Sequence, residues 1–187
     1  HEQGGMAAKA ALMAKAWKLG KVSGYHTACG TGDLATVQEF LSDRKSEFIA
    51  GKRVTPVHLD PSGASGLSLA AGGGHLTVVT ALLNASMPSH AGINGPDSAG
   101  VTPLMRAAQG GHVGIVRMLL DQSADIQSVS QLKDTPLHAA AKCKDGHTRS
   151  EVFSLLVDAG ADQKAVDAHG KTPHQVLVSV QQAPEEG

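Results

Sequence analysis

Apolar positions recur along this chain in a two-part rhythm. Leu104, Ala107 and Ala108 fall at i, i+3 and i+4, and after Gly110-Gly111 a second stripe follows at Ile115, Val116, Leu119 and Leu120. Each stripe reads as the buried face of a short helix, and the glycines between them end the first helix and turn the chain back. Thr102 suits the helix N-cap, and Pro103 takes the first helical position, where its missing N–H is harmless. Thr135-Pro136 and Thr172-Pro173 repeat that pair. The unit closes in Ser123-Ala124-Asp125, an ending that returns as Gly160-Ala161-Asp162.

The whole unit repeats. Thr135-Pro136-Leu137-His138-Ala139-Ala140-Ala141 is followed by Gly146-His147, Val152 and Leu155-Leu156. Ser65-Gly66-Leu67 to Ala71 is followed by Gly74-His75, Val79 and Leu82-Leu83. Ser23-Gly24-Tyr25-His26-Thr27-Ala28-Cys29 is followed by Gly32-Asp33, Val37 and Phe40-Leu41. With starts at 23, 65, 102, 135 and 172 the spacings are 42, 37, 33 and 37, so 33 is the basic period and the rest carry insertions. One helix pair cannot bury its apolar face alone, so the units are expected to stack into an elongated, slightly curved array.

Three places break the rhythm. Residues 42–60 form a long connection in which Thr55-Pro56-Val57-His58 imitates a unit start without the alanines that should follow, and it reads as a finger or irregular loop. Residues 84–97 read as a second long finger rich in Gly and Pro. Thr135 to Val152 spans 17 positions against 14 from Thr102 to Val116, so three extra residues are expected within 142–150, where two helices join.

The series Thr-Pro-Leu-His-x-Ala-Ala, then Gly-His, Val and Leu-Leu, then Gly-Ala-Asp resembles the ankyrin repeat, from Ser23 to about Val178. A leading Asp-x-x-Gly-x-Thr supports it at Asp97 to Thr102 and Asp167 to Thr172; Asp60 to Ser65 has Ser for Thr, and Ser130 to Thr135 loses both Asp and Gly. The resemblance implies an all-α solenoid of about five helix-turn-helix units with finger-like loops or β-hairpins, the first and last acting as caps. It also implies a non-enzymatic protein–protein interaction module, a scaffold or adaptor, working through finger tips and concave face. The alternatives are an inhibitory or regulatory subunit of an enzyme or transcription factor, and a membrane- or organelle-directed adaptor. The expected organisation is a tag remnant at 1–5 before Met6, a Lys- and Ala-rich helix at 6–21, the repeat domain at 23–182 and a tail at 183–187.

Composition narrows this further. The chain is 41% hydrophobic and only 3% aromatic, so small residues must do the close packing. Sixteen Lys and Arg against 17 Asp and Glu give no argument for a nucleic acid partner. Cys29 and Cys143 lie far apart with no C-x-x-C spacing, which speaks against a disulfide framework and for a reducing, intracellular location in cytoplasm or nucleus. No apolar run of ~18 residues offers a membrane span, and no secretory signal is expected. Between Met6 and Lys21 there are four Lys and no acid. On a helical projection Lys15, Lys18 and Lys21 gather opposite Leu12, Met13, Ala16 and Trp17. This helix is expected to shield the first unit, with a membrane-surface or partner-docking role as alternatives.

Candidate chemistry is sparse. Of ten histidines, His26, His75, His112, His138 and His147 occupy what the resemblance implies are structural slots, serving helix ends and contacts between units. Cys143 and His147 would need a third group to hold a metal. Gly30-Thr31-Gly32-Asp33-Leu34-Ala35 fits a dinucleotide fingerprint in letters, but its glycines fall on an inter-helix turn. No catalytic residue, metal ligand or cofactor is expected, and a monomer is.

The resemblance carries partner contacts onto Ser98, Ala99 and Val101 with Arg106 and Gln109; onto Gln131, Leu132 and Asp134 with Lys142; and onto Ala168, His169 and Lys171. On the first full finger it points to Pro61, Ser62 and Ala64 with Leu69. Leu132 is the notable one, an apolar side chain where a finger should be wet, beside Arg106 and Gln109, which suit hydrogen bonding to another chain. The groove between the third and fourth units is the expected docking place.

Overall fold

The computed structural model describes residues 24–43, 60–85 and 92–181. Among these residues there are nine helices and no strand. They are α1 (24–31), α2 (Leu34–Asp43), α3 (Gly66–Gly73), α4 (Leu76–Ala85), α5 (Pro103–Gly110), α6 (Val113–Asp121), α7 (Pro136–Ala141), α8 (Gly146–Asp158) and α9 (Pro173–Gln181). Odd-numbered helices open the units and stack as one layer, α3 on α5, α5 on α7 and α7 on α9; α2, α4, α6 and α8 stack as the second. The segments 6–21, 44–59, 86–91 and 183–187 lie outside the described residues, and with them the shielding helix and the Thr55-Pro56-Val57-His58 imitation.

Small side chains set the spacing of the first layer. Ala70, Ala71, Ala107, Ala108, Ala140 and Ala141 are all fully buried, so neighbouring helices approach closely. Leu104, Leu137, Ile115, Leu119, Val152 and Leu156 fill the space between the layers, each burial contributing about 1.5–3 kcal/mol. Helix starts follow the expected chemistry: the hydroxyls of Ser65, Thr102 and Thr135 accept the backbone N–H of Ser68, Met105 and His138. Turns follow it too. Gly74 (φ 78°) and Gly111 (φ 72°) end α3 and α5 in the left-handed region, and a Cβ on Gly74 would sit 2.7 Å from the His112 ring.

Two expectations change. In the fourth unit the joint is 142–145, against 111–112 in the third, but α7 is correspondingly shorter than α5, so the second helices begin at the same offset, ten residues after the first (113 − 103 and 146 − 136). The three extra residues before Val152 fall in the second helix, α8 having 13 residues against nine in α6. Three residues are close to one turn of 3.6, so Val152 and Leu156 still face inward. Of the stretch 84–97, residues 84–85 end α4 and 86–91 lie outside the described residues. Its end, Gly92-Ile93-Asn94, takes the place that Ser123-Ala124-Asp125 and Gly160-Ala161-Asp162 hold later, with left-handed Gly92, Ser123 and Gly160 and buried Ile93, Ala124 and Ala161. Asn94 Oδ1 accepts the Asp125 N–H at 2.8 Å, tying consecutive loops together.

Candidate partner-binding face

Four fingers, at 60–64, 97–101, 130–134 and 167–171, precede α3, α5, α7 and α9. Each folds around its first side chain. Asp97 Oδ1 accepts the N–H of Ala99 and of Val101, both at 2.9 Å. Asp60 does the same for Ser62 and Ala64, and Asp167 for His169 and Lys171. In the third of these fingers the Ser130 hydroxyl stands in for the carboxylate, accepting from Leu132 at 3.2 Å and Asp134 at 3.1 Å. The left-handed position, glycine at Gly63, Gly100 and Gly170 (φ 71–78°), is held by Lys133 at φ 57°. The finger that had lost its signature in sequence keeps its geometry.

Fingers are joined edge to edge. Ser98 N–H donates to Ser62 O, Gln131 N–H to Ala99 O, and Ala168 N–H to Leu132 O, at 2.8–3.0 Å. Gln131 Nε2 adds a bond to Ser98 O at 2.7 Å. At the equivalent donor position of the first described finger stands Pro61, which has no N–H to give to an earlier one.

The residues assigned to partner contact divide by exposure. Ser98, Ala99, Gln109, Gln131, Leu132, Ala168, His169 and Lys171 are exposed, as are Pro61 and Ser62. Ala64 is buried, and Leu69 and Val101 are half-buried against the core, so these three serve packing. Arg106 and Lys142 are half-buried and already engaged. Arg106 Nη2 lies 2.6 Å from Asp97 Oδ2, and Lys142 Nζ 2.6 Å from Asp134 Oδ2. In the third and fourth units the first helix, or the residue that caps it, thus anchors its own finger through an ion pair. Burial works against the charge on Asp97, but the Val101 N–H, the Arg106 guanidinium and the Ala99 N–H outweigh it and hold the carboxyl below its ordinary value. Sequence reasoning passed over Val129 (59% exposed) and Val166 (50%), equivalent residues immediately before the last two fingers. Their signal was a β-branched apolar residue at a loop position.

Three histidines act between units. His75 Nε2 meets Gly30 O at 2.9 Å, His112 Nε2 meets Gly72 O at 3.0 Å, and His138 Nε2 meets Lys171 O at 3.0 Å. Because His138 Nδ1 accepts the Thr135 N–H, its Nε2 carries the proton and donates. His147 departs from its assigned slot: it is exposed on the first turn of α8, while Thr148 and Cys143 lie against Gly111. The insertion of a turn moves it there. Among the described residues no group of three or more His, Cys, Asp or Glu could hold a metal ion, and no helix is long and apolar enough to cross a membrane. Gly30 lies in the last turn of α1 and Gly32, at φ 81°, at the α1–α2 turn, with Asp33 Oδ1 capping α2 through the Thr36 N–H.

The chain matches the family model for ankyrin repeats in three copies over residues 25–130, and that for a single ankyrin repeat over 133–168. No curated protein matches it. Two matched segments, meeting at the finger that Ser130 opens, cover most of the array of stacked helix pairs. The chain belongs to the ankyrin-repeat family, whose repeats generally serve as protein–protein interaction modules.

Proposed function

We propose that this chain is a scaffold or adaptor without catalytic activity, with an interaction domain over residues 23–182 that receives another protein on the fingers and first helices of the units starting at 102, 135 and 172. The observation that carries this reading is Leu132, 57% exposed at the tip of a finger whose backbone is bonded to both neighbours. An apolar group held rigidly in water gains free energy when a partner covers it. Because the fingers are fixed beforehand, little ordering cost is expected on association.

The test is affinity capture from a cell lysate with the full chain and with Leu132→Ser, read by quantitative mass spectrometry. The variant is expected to keep its melting temperature and lose the partners that the unaltered chain retains. Equal recovery by both would remove Leu132 from the interface. Arg106 is unsuited to the same test, because Arg106→Ala frees the buried Asp97 carboxylate. It is expected to destabilise by about 1–3 kcal/mol, measured by chemical denaturation.

A further inference from the structure

We infer that the partner segment received by the last two fingers is acidic, with carboxylates set beside apolar side chains. This rests on the docking reading above and adds the chemistry of the occupant. Leu132, Val129 and Val166 are all at least 50% exposed. The Ala168 N–H donates to Leu132 O at 2.8 Å, so the two fingers lie side by side and present one surface. Lys133, His169 and Lys171 are exposed on the same fingers.

Both carboxylates of these fingers are engaged within the protein. Asp134 pairs with Lys142 at 2.6 Å, and Asp167 accepts the N–H of His169 and Lys171 at 2.8 and 2.9 Å. Among the described residues no carboxylate pairs with Lys133 or Lys171, and Lys171 Nζ reaches the Ser179 hydroxyl instead, at 3.2 Å. The exposed acids of this half, such as Asp125, Asp158 and Asp162, sit at the ends of second helices or in the loops after them. A net charge of −1 conceals that separation.

Exposed apolar side chains on fingers whose two lysines have no carboxylate within ion-pair distance disfavour a basic segment and favour an acidic one, chiefly through encounter rate and selectivity. A single-stranded nucleic acid would want aromatic platforms for its bases, and the two fingers carry no Phe, Tyr or Trp. The surface therefore fits protein.

The experiment is selection of random peptides displayed on phage against the full chain, Leu132→Ser, the double variant Lys133→Glu and Lys171→Glu, and a control, Leu76→Ser, on α4. Synthetic peptides from the enriched pool are then measured by fluorescence anisotropy at low and high salt. Expected are acidic sequences with interleaved apolar residues, bound about tenfold or more weakly by Leu132→Ser and by the double variant, and equally by Leu76→Ser. Higher salt should weaken them. Neutral or basic winners that still require Leu132 would overturn the acidic inference and leave the docking reading standing. Winners insensitive to Leu132→Ser would sink both. No enrichment, or capture of phosphatidylserine vesicles or oligouridine in place of peptide, overturns the inference.

Discussion

Ser68 occupies the position in α3 that His138 holds in α7. The imidazole reaches both Thr135 and the carbonyl of Lys171, whereas the serine side chain is too short, and its fully buried hydroxyl has no hydrogen-bond partner. Burying an unpaired hydroxyl costs free energy, and alanine is the better helix former. Ser68→Ala is therefore expected to stabilise by about 1 kcal/mol, read as a rise of about 2–4 °C in melting temperature. A fall would mean that the hydroxyl has a partner. At Lys133 the backbone is left-handed, a conformation that strains any residue with a Cβ. Lys133→Gly should stabilise by about 0.5–1 kcal/mol in urea denaturation, and no gain would show that the turn is relaxed.

At the scale of elements, the fingers differ in what closes them. Asp97, Asp60 and Asp167 are held below their ordinary pKa. For Asp97 and Asp60 burial opposes the shift and hydrogen bonds overcome it; for Asp167 the Lys171 N–H contributes most. A carboxyl with a lower folded pKa contributes stability above its unfolded value of about 3.9, and that stability is lost as pH falls through the folded value. Below about pH 4 the amides of Ala99, Val101, His169 and Lys171 should lose exchange protection once intrinsic rates are corrected. Those of Leu132 and Asp134, bonded to the uncharged Ser130 hydroxyl, should change least. Uniform loss across the four fingers would show global acid unfolding instead. The helix pairs were legible in sequence because Thr-Pro, the alanine pairs and the glycine turns each impose one local geometry. The finger at 130–134 was not, since Ser for Asp and Lys for Gly hide a turn that its neighbours' hydrogen bonds enforce.

For the molecule as a whole, stacking makes burial a shared property. Cys29 in the first unit and Cys143 in the fourth are both buried and free, and burial pushes the Cys29 thiol up to about 11 against a weaker opposing bond from Tyr25. Neither should react with a thiol reagent at neutral pH faster than the array opens, so labelling should rise only as denaturant approaches the unfolding transition. Prompt labelling of either one in buffer would place it at a surface.

The sequence by itself determined the stacked helix pairs, their starts and turns, and the family, because each depends on contacts a few residues apart. It also pointed to Leu132 as a residue out of keeping with a finger. Only the tertiary structure decided that Arg106 and Lys142 are engaged by Asp97 and Asp134, that the insertion in the fourth unit is a helical turn, and that Val129, Leu132 and Val166 are exposed on or beside two fingers joined edge to edge. The ion pairs form only when a finger folds back over eight or nine positions onto its own first helix, and the fingers join only when units stack; side-chain reach and stacking in space leave no mark in the order of the chain.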